Sequence, residues 1–220
     1  MNVSIVPVCD LQVKIRNKLF KRTKNMNANE QFITYADIVR PSEKIMAFIY
    51  DLVLVITGSI IIALSAKIRF YLPFSPVPVT GQTFTVLLIG TLYGYKRGML
   101  TVIAYLAEGL AGFPVFAGGF SGIAYLAGPT GGYLAGFIAA AGVTGFLARR
   151  GWDRKLFTTA LAMTAGSAVM YIFGLSWLYL FAGTKVITVG LIPFISGDIL
   201  KITLAAMLLP SGWKFVGKEN

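Results

Sequence analysis

Apolar positions along this chain do not alternate; they come in long blocks separated by short polar or Gly/Pro-rich breaks, after a polar, basic stretch that lasts to about residue 44. The first block, 45–68, is apolar on all sides and long enough to cross a bilayer, which takes about 20 such residues. Further blocks at 81–93, 99–110, 131–148, 156–181 and 192–209 read as five more spans. The second is short for a straight crossing and needs flanking residues or a re-entrant neighbour, and the third runs to Leu110 or a little beyond. The pattern predicts an all-α integral membrane protein of six transmembrane helices with apolar Gly/Pro-rich external loops. Its organisation is a basic cytoplasmic extension over 1–44, a six-helix transmembrane substrate-binding domain over 45–210, and a short cytoplasmic tail over 211–220.

Two of the breaks are not ordinary loops. The run 72–82 carries Pro73, Pro76 and Pro78, and 113–137 is dense in Gly and Pro without a single charge. Helix cannot continue through such prolines. Non-helical backbone at membrane depth is tolerated only where protein buries it or where it lines a cavity. Both runs are therefore expected to form the walls and lid of a small-molecule site.

Composition sharpens the class. Hydrophobic residues make up 56% and charged residues 13%, and the mean hydropathy is +0.72, far from the roughly 25% charge of soluble domains. Histidine is absent and Cys9 is the one cysteine. The commonest general base, the usual zinc ligands and a Ser-His-Asp arrangement are thereby removed, and no metal or cofactor is expected. The net charge of +11 invites a nucleic-acid reading, with Lys14, Arg16, Lys18, Lys21, Arg22 and Lys24 as its footprint. The cytoplasmic bias of Lys and Arg in membrane proteins accounts for it without a polyanion. With both ends inside, sixteen of the 20 cations fall on cytoplasmic segments. Lys67, Arg69 and Lys185 remain outside, and Lys201 lies within the last span. The same orientation sets both Gly/Pro-rich runs on the external face of a plasma or inner membrane.

The extension over 1–44 offers no apolar run that would make a cleavable signal. Leu11, Val13, Ile15, Leu19 and Phe20 interleave with its cations, as in a helix lying on anionic lipid, and a cytoplasmic tail fits equally well. Met26 and Met46 are alternative starts. Asp51 sits at headgroup level or against a partner, and Glu108 is near enough to a helix end to reach the interface. Ser59 and Ala63, spaced by four, allow another helix to approach closely, either within the bundle or on a partner.

Asp198 and Lys201 are the sharpest chemical signal. A charge inside a span costs several kcal/mol unless it is paired or hydrated, and at a spacing of three the two share a helix face. At about 1.5 Å per residue they lie roughly 8 and 12 Å inward of Pro193. They form either a structural ion pair or the anchor of a ligand with a donor group and an anionic group. Gln82 and Tyr133 are the next polar side chains able to face such a ligand, with helix-end bonding and interfacial anchoring as the plainer alternatives. Phe74, Phe113, Phe116 and Phe120 can stack over a ring or fill the core. The glycines of 128–132 lack the Gly-Lys-Ser/Thr ending of a phosphate loop, so an ATP-driven motor would be another polypeptide.

Four runs, PFSPVPVTGQTFTVLLIG (73–90), GFPVFAGGFSG (112–122), GPTGGYLAGF (128–137) and GDILK (197–201), resemble, in order and spacing over about 63–210, the BioY family of biotin-binding substrate components of energy-coupling-factor transporters. The resemblance implies capture of biotin from outside, with a transmembrane coupling (T) protein and an ATPase pair as partners. It implies ligand-binding roles for Asp198 and Lys201, joined by Gln82, Tyr133, Phe116, Gly119 and Ser121, and docking of the coupling protein on Ser59 and Ala63. Where Phe120 and Ser121 stand, family members carry a polar residue, so a ligand hydrogen bond is lost or moved to Ser121. The competing functions are a substrate component for another vitamin, and a membrane scaffold or intramembrane enzyme limited to Asp198, Glu108 and Lys201.

Overall fold

The computed structural model describes residues 32–218. The basic cluster between Lys14 and Lys24, Cys9 and Met26 lie outside them. The described chain is mostly helical: α1 (Tyr35–Ile38), α2 (Lys44–Ser65), α3 (Gln82–Tyr93), α4 (Tyr95–Leu110), α5 (Ile123–Ala127), α6 (Gly131–Ala148), α7 (Leu156–Ala182), α8 (Val186–Gly190) and α9 (Ile192–Lys218). Four helical stretches are long and apolar enough to cross a membrane: α2, α6, Leu156–Gly190 and Ile192–Val216. The remaining two predicted spans are helices of 12 and 16 residues, α3 and α4, separated by Gly94 alone. Its φ of +79° belongs to the left-handed region that costs glycine least.

α6 is the axis. Its most apolar window is 61% buried, against 22% in α2 and in α9, and it packs on α7, α3 and α4. Glycine makes that possible. A side chain at Gly90 of α3 would collide with the Ala141 backbone, and one at Gly136 with Met170 of α7. Small residues let helices approach closely when no hydrophobic force separates protein from solvent lipid. The outer face of α2 exposes Phe48, Ile49, Leu52, Val53, Ile56 and Ile60, a surface suited to hydrocarbon and not to water.

The Pro-rich run is held as a hairpin. Strand β1 (Arg69–Phe70) pairs antiparallel with β2 (Val79–Thr80), Arg69 opposite Thr80 and Phe70 opposite Val79. The prolines fill the loop between, where no ladder donor is needed. Gly112, Gly118, Gly119 and Gly122 all adopt positive φ in the second run, which folds it over the same end of the bundle.

At the opposite, basic end the structure departs from the expected boundaries. Phe32 to Arg40 is packed protein, with Thr34 and Ala36 buried. Asp37 accepts from the Thr34 amide and hydroxyl and pairs with Arg97 at 2.9 Å, and Asp51 pairs with Arg97 and Arg40, each at 2.7 Å. Burial pushes the Asp37 carboxyl up, but the Thr34 bonds and the Arg97 charge outweigh it and hold it below the ordinary carboxylate value. Asp51 is thus half-buried and paired within its own chain. The helix that was expected to end near residue 209 continues to Lys218 through Pro210. There the Tyr35 hydroxyl donates to the Leu209 carbonyl at 2.5 Å, over Gly212, which leaves room for the phenol. A neighbouring element thereby supports the turn that proline weakens.

Ser59 and Ala63 both lie on the side of α2 that meets the bundle. Ser59 is fully buried, its hydroxyl donates to Glu108 at 2.6 Å, and Ala63 packs against the core. That face of α2 is occupied within the bundle, because a hydroxyl in an apolar span seeks a partner and Glu108 of α4 supplies one.

Candidate functional site

Above α6, at the end that carries the Pro-rich hairpin, the elements leave a cleft with about 510 Å³ of empty space, open mouth included. Val77, Pro78 and Thr80 of the hairpin form one wall, and Gln82 and Thr83 open α3 beside them. Ala117, Tyr125 and Thr130 come from the second Gly-rich run and α5. Tyr133, Leu134 and Phe137 of α6, Met170 and Tyr171 of α7, and Phe194 and Lys201 of α9 complete the lining. The surface is apolar and aromatic except at one corner.

That corner is built around α9. The Lys201 ammonium donates to Thr83 Oγ1 at 2.7 Å, to the Thr80 carbonyl at 3.2 Å and to Asp198 Oδ1 at 3.4 Å. Asp198 Oδ2 accepts a short hydrogen bond from the Tyr171 hydroxyl. Both charged side chains are mostly covered, 17% and 14% exposed. A second polar pair stands nearby: Gln82 Nε2 donates to the Tyr105 hydroxyl at 2.6 Å, which donates to the Val115 carbonyl at 3.2 Å. An apolar cleft with a few convergent polar groups can hold a small molecule that carries hydrogen-bonding heads on a hydrophobic body.

The expected residues divide in two. Lys201, Gln82 and Tyr133 line the cleft, and Asp198 stands behind Lys201 and Tyr171. Tyr133 is fixed there because Gly174 leaves space under its ring and its hydroxyl donates to the Gly190 carbonyl at 2.7 Å. Phe116, Gly119 and Ser121 do not line the cleft. Phe116 is buried a layer behind it, seated over Gly109, stacked on Tyr125 at 5.1 Å and edge-on to Tyr105 at 5.6 Å. The Gly118–Gly119 turn sends Gly119 outward with open space around it, and Phe120 folds back over the outer face of Tyr125 at 5.5 Å. Of these three rings, Tyr125 is the one that lines the cleft.

Tyr171, Thr83 and Thr80 were not foreseen. Tyr171 sits within an apolar run where an aromatic is ordinarily core, and Thr80 contributes a backbone carbonyl, which no side-chain pattern reveals. Thr83 had a signal: it follows Gln82 on the first turn of α3.

Comparison with known proteins follows the same lines. The family model described as "BioY family" matches residues 34–218. A biotin transporter BioY of Rhizobium etli is 38% identical over 169 residues, covering 72% of this chain and 90% of that protein. A biotin transporter BioY of Thermotoga maritima is 41% identical over 140 residues, covering 62% and 81%. Among solved structures, the S-component for biotin from an ECF-type ABC transporter superposes with a TM-score of 0.66 at 25% identity, over 76% of this chain and 92% of that one.

Proposed function

The chain belongs to the BioY family, and we propose that it captures biotin at the external face of the plasma or inner membrane and serves biotin uptake as the substrate component of an energy-coupling-factor transporter. The observation that carries this reading is the Asp198–Lys201–Tyr171–Thr83 corner in an otherwise apolar cleft. Biotin has the matching parts: ureido N–H groups for the Asp198 carboxylate, a valerate for the Lys201 ammonium, and a thiophane ring for the aromatic wall of Tyr125, Tyr133 and Phe194. A bidentate or charge-assisted contact is stronger than a neutral one, the more so where the surroundings are apolar.

In this reading α3 and α4 span together with the four longer helical stretches, giving six crossings. The basic end, with Arg97, Arg149 and Arg154, faces the cytoplasm, and both termini lie there, as the positive-inside rule requires. A transmembrane coupling protein and an ATPase pair supply the energy, since the sequence has no phosphate loop of its own.

Calorimetry of biotin binding to the purified protein in detergent tests the reading, alongside Asp198→Asn and Lys201→Met. Tight wild-type binding, weakened at least tenfold in both variants, about 1.4 kcal/mol, is the expected result. Folded wild type that ignores biotin but is protected from heat by thiamine or riboflavin would overturn the assignment.

A further inference from the structure

We infer that Tyr105 is a positioning residue: it holds the Gln82 side-chain amide with its nitrogen inward, so that the cleft presents the amide oxygen to an N–H group of the ligand. The inference deepens the biotin reading and rests on it. Gln82 opens α3 and lines the cleft, whereas Tyr105, on α4, is fully buried beside it. Their side chains meet at 2.6 Å, and the phenol settles the polarity of that contact. A phenol has one proton to give. The Val115 carbonyl, 3.2 Å away in the second Gly/Pro-rich run, can only accept, and it takes that proton. The phenol oxygen is left as an acceptor, so Gln82 meets it with N–H and not with C=O. Turning the amide over would either set two oxygens against each other or strip the Val115 carbonyl of its donor, and burial makes an unpartnered polar group costly. Phe116, packed edge-on to the Tyr105 ring at 5.6 Å, keeps the phenol in place.

With the nitrogen held by Tyr105, the amide oxygen is the end left for the cleft, and it meets no donor among the described residues. An acceptor at that point favours a ligand N–H, such as one of the ureido pair of biotin. A ligand that brought a lone pair there would face another lone pair and be rejected. Without the phenol hydroxyl the amide nitrogen faces an apolar ring, and the amide turns over. Affinity then falls with the fraction of molecules that still show oxygen.

The experiment is biotin calorimetry on wild type, Tyr105→Phe, Gln82→Leu, Gln82→Glu and the double variants Tyr105→Phe/Gln82→Leu and Tyr105→Phe/Gln82→Glu, with thermal unfolding of each. Tyr105→Phe should bind about fivefold more weakly than wild type, and Gln82→Leu about tenfold. Glutamate has oxygen at both ends, so Gln82→Glu should bind more tightly than Gln82→Leu. For the same reason, adding Tyr105→Phe to Gln82→Glu should cost no more than about twofold, and adding it to Gln82→Leu as little. A tyrosine that merely braces the bundle would cost the same factor in every background. The comparison of Gln82→Glu with Gln82→Leu leaves Tyr105 intact, and it stands even where the phenylalanine variants do not fold. Wild-type affinity in Tyr105→Phe, an equal loss from it in all three backgrounds, or weaker binding by Gln82→Glu than by Gln82→Leu would each overturn the inference and leave the biotin reading standing. Folded wild type that does not bind biotin would overturn both.

Discussion

Replacing Gly174 by alanine tests whether the cleft depends on the seat beneath Tyr133. A methyl at Gly174 would stand 2.6 Å from Tyr133 Cγ and closer still to two other carbons of the ring, roughly 1 Å inside the 3.5–4.0 Å of good carbon–carbon contact. The ring cannot retreat along its own axis, because its hydroxyl is tied to the Gly190 carbonyl at 2.7 Å. It moves toward the cleft it lines, or α7 separates from α6. Overpacking of this kind costs about 1–3 kcal/mol, offset by the roughly 0.8–1.0 kcal/mol by which alanine outranks glycine in a helix. A net loss of about 1 kcal/mol corresponds to a Tm lower by about 2–4 °C for a chain of this size. Biotin affinity should fall at least tenfold, because the ligand and the displaced phenol compete for one space. Gly142→Ala is the control. It adds the same methyl to α6, but the atom opposite is Met99 Sδ at 3.0 Å, the flexible end of a side chain, so stability and affinity should both be retained. Calorimetry and thermal unfolding in detergent read both quantities. Wild-type affinity in Gly174→Ala, with a Tm equal to that of Gly142→Ala, would refute the packing account of the site.

Two predictions concern the basic end. Arg97→Met removes the side chain shared by Asp37 and Asp51, and since Arg97 and Asp37 are only 10% and 13% exposed, the loss should reach about 3–5 kcal/mol, seen as a large fall in Tm. Asp37 also sets an acid limb. Its folded value lies below the unfolded value of about 3.9, so its contribution is complete above that pH and is lost as pH falls through the folded value. The Tm difference between wild type and Asp37→Asn should be constant from pH 7 to about 5 and narrow below pH 4; a difference that widens on acidification would contradict the pairing.

What was legible in the sequence is what the bilayer enforces locally. A segment in hydrocarbon must close its own backbone hydrogen bonds, so each span declares itself as an apolar run without reference to its neighbours. The four helical stretches long enough to cross follow directly from that rule. Lys201 and Asp198 stood out for a related reason: an ion in such a run is costly unless it is paired, and the two pair with each other. The prolines of 73–78 marked a break because they stop helix where it would otherwise continue, and the glycines of 112–122 supply the positive φ of the second break.

The tertiary structure decided which side of each helix faces what. Helices α6 and α7 are apolar all round, so no amphipathic stripe orients them, and neither Tyr133 nor Tyr171 could be aimed from its position in the chain. Close approach at Gly136 and Gly174 fixes that rotation. It brings Tyr171 to Asp198, a partner 27 residues away. The same cause removed Phe116 from the wall, since Gly109 offers its ring a seat one layer behind Tyr125, and turned Ser59 inward to Glu108. Residues 32–40 fell within the basic extension because the chain is polar and carries no long apolar block until about residue 45. Only the fold supplies Arg97 and Asp51 as the counter-charges of Asp37 and Arg40, and charge pairing across distant segments leaves no periodic mark along the chain.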